Sequence, residues 1–508
     1  MSSTGIVPKF EDRISTGIPG LDDVLLGGFP CRHFYLIEGD PGTGKTTLAL
    51  QFLLEGKRRG EKSLYVTLSE TRRELGGVAA SHGWNLDGIE VYELGDFEER
   101  LRPERQYTVF HPAEVELSET TRRILDQVEK FEPVRVVLDS LSELRLLARE
   151  DLRYRRQVLA LKQYFSMKDC TVLLLDDRSD RGSRDPQLQS ISHGVLLLER
   201  LGIDYGVPRR RISVTKMRGA EFREGYHDFS IEPGGLSVYP RLIAAEHVQI
   251  PDGRKEVVSG VKELDSLLGG GVLRGTSMLL MGPAGSGKST LVSQYALAEA
   301  KRGGTVAVYL YEETRASFLL RSKGMGIDLT PHIEKGLIHL QQVDPAEMSP
   351  GEFAHRVRKE VEGGTRTIMI DSLNGYLNAM PSERHLLIHM HELLVYLAQQ
   401  GVLTILTVAQ HGLVGGALQM PIEVSYLADT VVMLRFFEAS GEVRQAISVV
   451  KKRHGLHERT IREMAFGRHG LRIGEPLKEF RGVLTGVPEY NGANGPLLAQ
   501  SSTNVLER

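Results

Sequence analysis

Cysteine and tryptophan are the scarcest residues in this chain, which has two cysteines and one tryptophan among 508 residues. Cys31 and Cys170 are far apart and form no C-x-x-C motif, which argues against a disulfide framework and against a cysteine-based zinc site. So little cysteine is typical of a protein from a reducing compartment. We therefore expect a cytoplasmic protein.

Neither sign of charge dominates, because 63 lysines and arginines nearly balance 66 aspartates and glutamates and leave a net charge of −3. The sequence thus lacks a broadly basic surface, and we expect no nucleic-acid partner. No apolar run approaches the ~18 residues of a membrane span, and residues 1–12 lack the apolar segment of a secretory signal. We expect no membrane association and a mature protein that is the whole chain.

An internal repeat is the main feature that the sequence does have. Three segments of the first half return in the second half in the same order: S-T-G-I-P-G-L-D (15–22) as S-G-V-K-E-L-D (259–265), G-D-P-G-T-G-K-T (39–46) as G-P-A-G-S-G-K-S (282–289), and L-S-E-T (68–71) as Y-E-E-T (311–314). The spacing is 243 residues both from Lys45 to Lys288 (288 − 45) and from Glu70 to Glu313 (313 − 70). Such a long period indicates duplicated domains and excludes a solenoid.

The repeat sets the predicted domain organisation. We expect domains at residues 1–245 and 246–488, joined by a linker within 242–256, where charged residues mix with Pro251 and Gly253. Residues 489–508 are polar and rich in asparagine, glycine and serine, which predicts a mobile tail.

In each half, short apolar runs alternate with amphipathic stretches of helical length. This alternation predicts an α/β fold in which each domain is a mostly parallel sheet flanked by helices. The predicted buried strands are 34–38, 64–68, 134–138 and 171–175 in the first half, and 277–281, 306–310, 367–370 and 402–408 in the second. Antiparallel strands are expected later, at 211–216 and 445–451.

Both matches to G-x-x-x-x-G-K-[ST] follow a predicted strand and open a predicted helix. A loop of this kind cradles phosphates with backbone N–H groups, its lysine contacts the β and γ phosphates, and its last hydroxyl contacts Mg²⁺. We therefore predict two sites for ATP with Mg²⁺, in which Thr46 and Ser289 contact the metal. The predicted nucleotide-binding residues of these loops are Gly42, Thr43, Gly44, Lys45, Thr46 and Thr47, and Gly285, Ser286, Gly287, Lys288, Ser289 and Thr290.

Carboxylates follow two neighbouring predicted strands of each half. Asp139 and Asp371 end apolar runs about 90 residues after the loop lysines, as the Walker B aspartate of a P-loop enzyme does. Glu70, Glu312 and Glu313 follow the strand after the first helix, where a carboxylate can orient or deprotonate a nucleophile. We predict that these residues support the metal ion and activate the attacking group.

Two short cationic segments end the late strands of the two halves, K-M-R at 216–218 and K-K-R at 451–453. Lys216, Arg218, Lys451 and Arg453 are predicted to act as fingers that reach the γ-phosphate of a neighbouring subunit. The simpler interpretation is an exposed cationic strand edge, but the recurrence in both halves favours function.

Together these residues resemble the KaiC family of RecA-like ATPases over roughly residues 10–488. The specific points of likeness are the two G-[IV]-x-x-L-D openings, both phosphate loops, the Glu312–Glu313 pair, both Asp-Ser strand ends and the two K-[MK]-R segments. The resemblance implies tandem RecA-like P-loop NTPase domains in a double-ring homohexamer, with ATP at subunit interfaces. It also implies an autokinase and autophosphatase in the second ring, hydrolysis chiefly in the first, a timing or signalling role, and a KaiB-like or other signalling protein as partner.

The same resemblance places the phosphoacceptors shortly before residues 430–436, at Ser425 and Tyr426. The clock members of the family have Ser-Thr there, so a site shaped for these side chains favours Ser425 over the longer tyrosine. By the same alignment Glu312 is the general base of the transfer, with Glu313 beside it, and we also assign Glu312 to the metal site.

Two other functions fit the same loops. One is a RecA- or RadA-like recombinase, but residues 374–391 mix charges, and three arginines within 177–185 are matched by three aspartates. The other is a non-catalytic ring in which nucleotide maintains a shape that partners recognise. Salt-dependent DNA binding would support the first alternative, and ATP binding without turnover would support the second.

Overall fold

The computed structural model describes residues 12–94, 112–148, 150–178, 186–202, 206–247, 255–378, 385–410, 425–439, 441–468, 470–484 and 489–490. The chain forms two compact units, Met1–Arg241 and Leu242–Arg508. The division therefore falls slightly before the boundary expected after residue 245. The reason is that the 3₁₀ turn Ala244–His247 packs in the second unit, where the Ala244 N–H donates to Glu392 Oε2 at 3.2 Å.

In the described part of the first unit, nine strands form one sheet and two further strands form a short pair. The pair is β1 (Arg13–Ile14) and β2 (Phe29–Pro30). The sheet contains β3 (Phe34–Gly39), β4 (Ser63–Thr67), β5 (Glu90–Glu93), β6 (Arg135–Asp139), β7 (Thr171–Asp177), β8 (Gly194–Leu201), β9 (Arg209–Met217), β10 (His227–Glu232) and β11 (Gly235–Tyr239). The helices are α1 (Leu21–Val24), α2 (Lys45–Arg58), α3 (Arg72–Ser81), α4 (Pro112–Phe131), α5 (Leu141–Ala148), α6 (Asp151–Ser166) and α7 (Pro186–Ile191).

The strand order is β11-β10-β9-β8-β3-β7-β6-β4-β5. Pairing is parallel from β8 to β5 and antiparallel from β8 to β11. Strand β3 is central, and alternate side chains serve its two faces. Tyr35 and Ile37 pack in one cluster with α2, whereas Phe34 and Leu36 pack in another with α4, α5 and α6. The phosphate loop therefore follows the middle strand of a sheet that is covered on both faces.

The second unit repeats this architecture among its described residues. Its strands are β12 (Glu256–Val257), β13 (Val272–Leu273), β14 (Ser277–Gly282), β15 (Val306–Leu310), β16 (Ile338–Gln342), β17 (Thr367–Asp371), β18 (Leu403–Ala409), β19 (Thr430–Ala439), β20 (Glu442–Lys452), β21 (Ile461–Gly467), β22 (Gly470–Pro476), β23 (Phe480–Arg481) and β24 (Glu489–Tyr490). Its helices are α8 (Lys262–Leu267), α9 (Lys288–Lys301), α10 (Arg315–Gly324), α11 (Thr330–Glu334), α12 (Pro350–Glu362), α13 (Leu373–Asn378) and α14 (Leu386–Gln399), with a 3₁₀ turn at Ser425–Leu427. The sheet order is β16-β15-β17-β18-β14-β19-β20-β21-β22, with β14 central.

The predicted fold class is confirmed, since each unit has a mostly parallel sheet flanked by helices. The polar mobile tail expected at residues 489–508 stays a prediction. Tyr490 pairs with Phe480 in a short antiparallel ladder, and its hydroxyl donates to Glu479 Oε2 at 2.9 Å. Residues 491–508 lie outside the described part. Within the described ranges, no helix is both long and apolar enough to cross a membrane.

Candidate active sites

Each phosphate loop connects the central strand of its sheet to the N-terminus of a long helix, β3 to α2 and β14 to α9. Gly44 and Gly287 cap these helices with φ of 105° and 99°, a left-handed conformation that favours glycine. A Cβ on Gly287 would lie 2.1 Å from the ring of Phe466, so a side chain has no room there. Each loop thus leads directly into a helix N-terminus, where an anion is stabilised.

The loop lysines are buried, each only 8% exposed. Lys45 Nζ donates to the carbonyls of Gly39 at 2.8 Å and Asp40 at 3.1 Å, and Lys288 makes the equivalent two bonds at 2.9 and 2.8 Å. Burial lowers the pKa of Lys288, which the charges of Asp371 and Glu312 partly oppose. Each ammonium group is therefore held over its own loop, where phosphate oxygens would bind.

One charge near the lysines differs between the two sites. Lys45 Nζ forms an ion pair of 2.6 Å with Asp177 Oδ1, because β7 places Asp177 beside Gly39 at the end of β3. In the second unit, the residue beside Gly282 is Ala409. The first lysine thus has a carboxylate partner at a strand end where the second unit has an apolar methyl group.

Asp139 and Asp371 end β6 and β17, and each precedes a serine through a cis peptide bond. The Tyr65 hydroxyl donates to Asp139 Oδ2, and Thr407 Oγ1 donates to Asp371 Oδ1 at 2.5 Å. Burial raises the pKa of both aspartates. These two carboxyl groups are therefore held in place by buried hydroxyl groups at the carboxyl edge of their sheets.

The loop hydroxyls lie beside these aspartates. The interactions of Thr46 with Asp139 and of Ser289 with Asp371 oppose the effect of burial on the two pKa values. A hydroxyl oxygen next to a carboxylate suits Mg²⁺, which commonly takes few protein ligands together with phosphate oxygens and water. The described residues hold no group of three or more metal-ligating side chains, so a metal ion here would need the phosphates to complete its shell.

The glutamates that follow β4 and β15 are arranged differently in the two units. Glu70 Oε2 is buried and accepts no hydrogen bond from the described residues. Burial raises the pKa of Glu70, and the nearby carboxylates, Asp139 first, add to the effect. In the second unit Glu312 accepts a hydrogen bond of 2.5 Å from Ser372, the residue after Asp371, whereas Glu313 forms an ion pair with Arg321.

The predicted finger residues lie at the edge of each sheet where the parallel strands begin, opposite to the edge that carries the phosphate loop. The Arg218 N–H donates to the His193 carbonyl at 2.8 Å, and the His193 N–H donates to the Phe34 carbonyl at 2.9 Å, at the start of β3. The same chain of bonds occurs at the start of β14. The Arg453 N–H donates to the Asp429 carbonyl, and the Asp429 N–H donates to the Ser277 carbonyl, both at 2.9 Å. Strand β3 has 6 residues, so at roughly 3.3 Å per residue its two ends are about 16 Å apart. The cationic segments are therefore distant from the phosphate loop of their own unit.

The lysines of these segments bond to nearby carbonyls at the same edge. Lys216 Nζ donates to the Ser192 carbonyl and Lys451 Nζ to the Ala428 carbonyl, both at 2.7 Å. Ser425 and Tyr426 lie in the 3₁₀ turn just before Ala428, and Tyr426 is 51% exposed. The side chain of Ser425 lies outside the described part. The predicted acceptors and the predicted fingers of the second unit thus share one sheet edge.

A sequence profile of the KaiC ATPase matches residues 14–243 and 257–478, which is most of both units. The chain belongs to the KaiC family of ATPases. This membership makes it an ATP-hydrolysing enzyme with duplicated nucleotide-binding domains, as the two phosphate loops predict.

Three relatives illustrate the similarity of this KaiC-family chain to named proteins. The circadian clock protein KaiC3 of Synechocystis is 27% identical over 487 residues, covering 94% of this chain and 95% of that protein. The circadian clock oscillator protein KaiC of Acaryochloris marina is 27% identical and covers 94% of this chain and 91% of that protein. The KaiC of Picosynechococcus is 27% identical, with coverage of 96% and 94%. The similarity therefore extends over nearly the full length of each.

Sequence reasoning missed four residues of these KaiC-family sites: Tyr65, Asp177, Arg321 and Thr407. The two hydroxyl groups reach the aspartates from neighbouring strands, so only strand order reveals them. Asp177 ends an apolar strand in the same way as Asp139, which was a usable signal. Arg321 carried no signal, because its contact with Glu313 depends on the position of α10.

Proposed function

We propose that this KaiC-family ATPase assembles as a double-ring homohexamer whose second unit is a serine autokinase and autophosphatase. It would act as a nucleotide- and phosphorylation-dependent signalling or timing protein. The clock names of its relatives support the timing role. A KaiB-like or other signalling protein is the partner that such a role requires.

One observation carries the proposal of a ring. Arg218 and Arg453 lie at the sheet edge opposite to the phosphate loop of their own unit. A cation at that edge is distant from the γ-phosphate of its own unit and would instead serve one in another copy of the chain, and head-to-tail contacts of this kind give a ring where the rotation closes. Each nucleotide site would then be complete only at a subunit interface, as an arginine finger supplied in trans requires.

Binding of ATP would use the same parts in both units. Lys45 and Lys288 bind the β and γ phosphates once their bonds to loop carbonyls are exchanged for phosphate oxygens. The hydroxyl–carboxylate pairs, Thr46 with Asp139 and Ser289 with Asp371, would hold Mg²⁺. When bound, the metal neutralises phosphate charge.

The glutamates would determine which activity each unit has, hydrolysis in the first and transfer to serine in the second. In the first unit Glu70 orients water, and its buried Oε2, which has no hydrogen-bond partner in the described part of the chain, supports this role. In the second unit Glu312 accepts the proton of the Ser425 hydroxyl of a neighbouring subunit. The acceptor turn supports a transfer between subunits, because it lies at the same edge as Lys451, away from the phosphate loop of its own unit.

Phosphopeptide mass spectrometry tests this proposal. After incubation with Mg·ATP, we expect phosphate on Ser425 in the wild-type chain and none in Ser425→Ala. Tyr426→Phe is the matched control, since it alters only the neighbouring hydroxyl and should still be phosphorylated. Unmodified wild-type protein that nevertheless hydrolyses ATP would contradict the kinase assignment.

The phosphate loops can be separated by substitution. Lys288→Ala should abolish phosphate incorporation while the first unit continues to hydrolyse ATP, because its loop is intact. Lys45→Ala is the reciprocal control and should retain incorporation. Radioactive γ-phosphate in the Lys288→Ala protein would show that the kinase site lies elsewhere.

A further inference from the structure

The two units have different residues at one position beside their glutamates. Helices α3 and α10 begin after equivalent capping threonines, Thr71 and Thr314, which both follow the glutamate directly. Seven residues after the cap, α3 has Val78 and α10 has Arg321. Val78 packs against the apolar core of its unit, whereas Arg321 faces the active site. The duplication thus allows a comparison between a site with an arginine at this position and a site with a valine.

Arg321 holds Glu313 by both carboxylate oxygens. Its Nη2 lies 2.9 Å from Oε2 and its Nε lies 3.3 Å from Oε1, a bidentate arrangement that fixes the orientation of a carboxylate. Ser317 Oγ adds a bond of 3.1 Å to the same carboxylate. Arg321 Nη1 also donates to Thr290 Oγ1 at 3.2 Å, which ties the pair to the first turn of α9. Glu313 is therefore fixed on the α10 side of the site.

The charges that act on Lys288 agree with this position of Glu313. The carboxylates that act on Lys288 are Asp371 and Glu312. In the first unit, the single glutamate Glu70 instead interacts with Asp139 and Asp177, which surround Lys45. Glu70 is equivalent to Glu313, since both immediately precede the capping threonine. The equivalent glutamates thus lie in different electrostatic surroundings.

We propose that Arg321 is a positioning residue that holds Glu313 away from the attacking group and leaves the role of base in the second unit to Glu312. The inference rests on the proposed function, because it explains why one unit hydrolyses ATP with Glu70 while the other favours transfer to a serine. Glu312 is already directed by its bond to Ser372. The specificity of the second site would then depend on a cation that the first site lacks.

Removal of the Arg321 guanidinium should increase ATP hydrolysis at the second site. With Arg321 replaced, the Glu313 carboxylate is free to accept a proton from water. The water oxygen forms a bond to the γ-phosphorus, the bond from that phosphorus to the β–γ bridging oxygen breaks, and its electron pair remains on ADP. The products are ADP and inorganic phosphate, and the proton resides on Glu313 before release.

The experiment uses the full chain with Lys45→Ala, so that turnover reports the second site. Arg321→Val, which copies Val78, should raise the kcat for ATP hydrolysis by about a hundredfold, the lower range for a general base, with little change in KM. Arg321→Lys should show a smaller gain than Arg321→Val, because it keeps the charge but loses the bidentate contact with Glu313. Adding Glu313→Gln to Arg321→Val should remove the gain, which a purely structural effect of the arginine would not do.

The reciprocal substitution keeps the test independent of the stability of the second unit. In a Lys288→Ala chain, Val78→Arg should lower first-site hydrolysis by about a hundredfold, since the new cation would hold Glu70 as Arg321 holds Glu313. Unchanged kcat in both exchanges, or a gain that persists with Glu313→Gln, would overturn the role of Arg321. A Lys45→Ala parent with neither hydrolysis nor phosphate incorporation would instead refute the proposed function itself.

Discussion

The ion pair between Lys45 and Asp177 predicts that the two phosphate loops differ in nucleotide affinity. Asp177 holds the ammonium group that ATP needs, and its charge also repels the phosphates. Replacing Asp177 with alanine, the residue that the second unit has at position 409, removes both effects. We therefore expect Asp177→Ala to tighten ATP binding at the first site.

The size of this effect follows from the exposure of the two groups. Lys45 is 8% exposed and Asp177 is 42% exposed, with 2.6 Å between Nζ and Oδ1, so the pair lies at the border between buried and solvated. Solvated pairs contribute up to about 1 kcal/mol, and we take that upper value. At about 1.4 kcal/mol per tenfold change in affinity, the dissociation constant should fall about fivefold.

The assay is titration of the full chain with a fluorescent ATP analogue, with Lys288→Ala present so that only the first site binds. The gain should shrink at high salt, since the Debye length falls to about 3 Å at 1 M. Ala409→Asp in a Lys45→Ala chain is the matched control and should weaken binding at the second site by a similar factor. Weaker binding by Asp177→Ala would refute the reasoning, because it would mean that Asp177 supports the nucleotide or its metal.

Two further predictions concern the fingers and a half-buried histidine. Arg453→Ala and Lys288→Ala chains should each fail to incorporate phosphate. Oligomers mixed from the two should recover part of the incorporation, because an intact loop can meet an intact finger on another copy. A mixture that incorporates no phosphate would exclude fingers in trans. Burial, assisted by His33 and neighbouring cations, lowers the pKa of His193 from 6.5 to about 4. The unfolded chain therefore binds a proton that the folded chain does not, so stability should fall as the pH drops from about 6.5 to 4. His193→Gln should lose less stability than wild type across that window in urea unfolding, whereas the exposed His454→Gln should not differ from wild type.

Much of each site could be predicted because its signals are local in the chain. Gly42 and Gly44, like Gly285 and Gly287, adopt positive φ angles that few other residues adopt, and the lysine follows them directly. Asp139 and Asp371 end apolar runs whose length and composition mark buried strands. Parallel strands place their carboxyl ends at one edge, so these residues meet without further information.

The remaining contacts depend on which strands are neighbours and how the helices pack. Asp177 could be seen as an acidic strand end, but only the adjacency of β7 and β3 directs it to Lys45. The pairing of Arg321 with Glu313 requires α10 to lie beside the first turn of α9, as its bond to Thr290 shows. The sequence has Glu312–Glu313 where the first half has Ser69–Glu70, yet it does not indicate which of the two glutamates forms the ion pair with Arg321.

The amino-acid sequence alone determined the duplication, the α/β class and the loops that bind phosphate, because each is encoded in periodicity and in short runs of residues. Only the tertiary structure decided the charge partners of the lysines and glutamates, and it alone showed that the cationic segments lie at the opposite sheet edge from their own loops. The reason is physical: backbone conformation is set largely by neighbours in the chain, whereas electrostatic interactions depend on distances that the chain closes only when it folds.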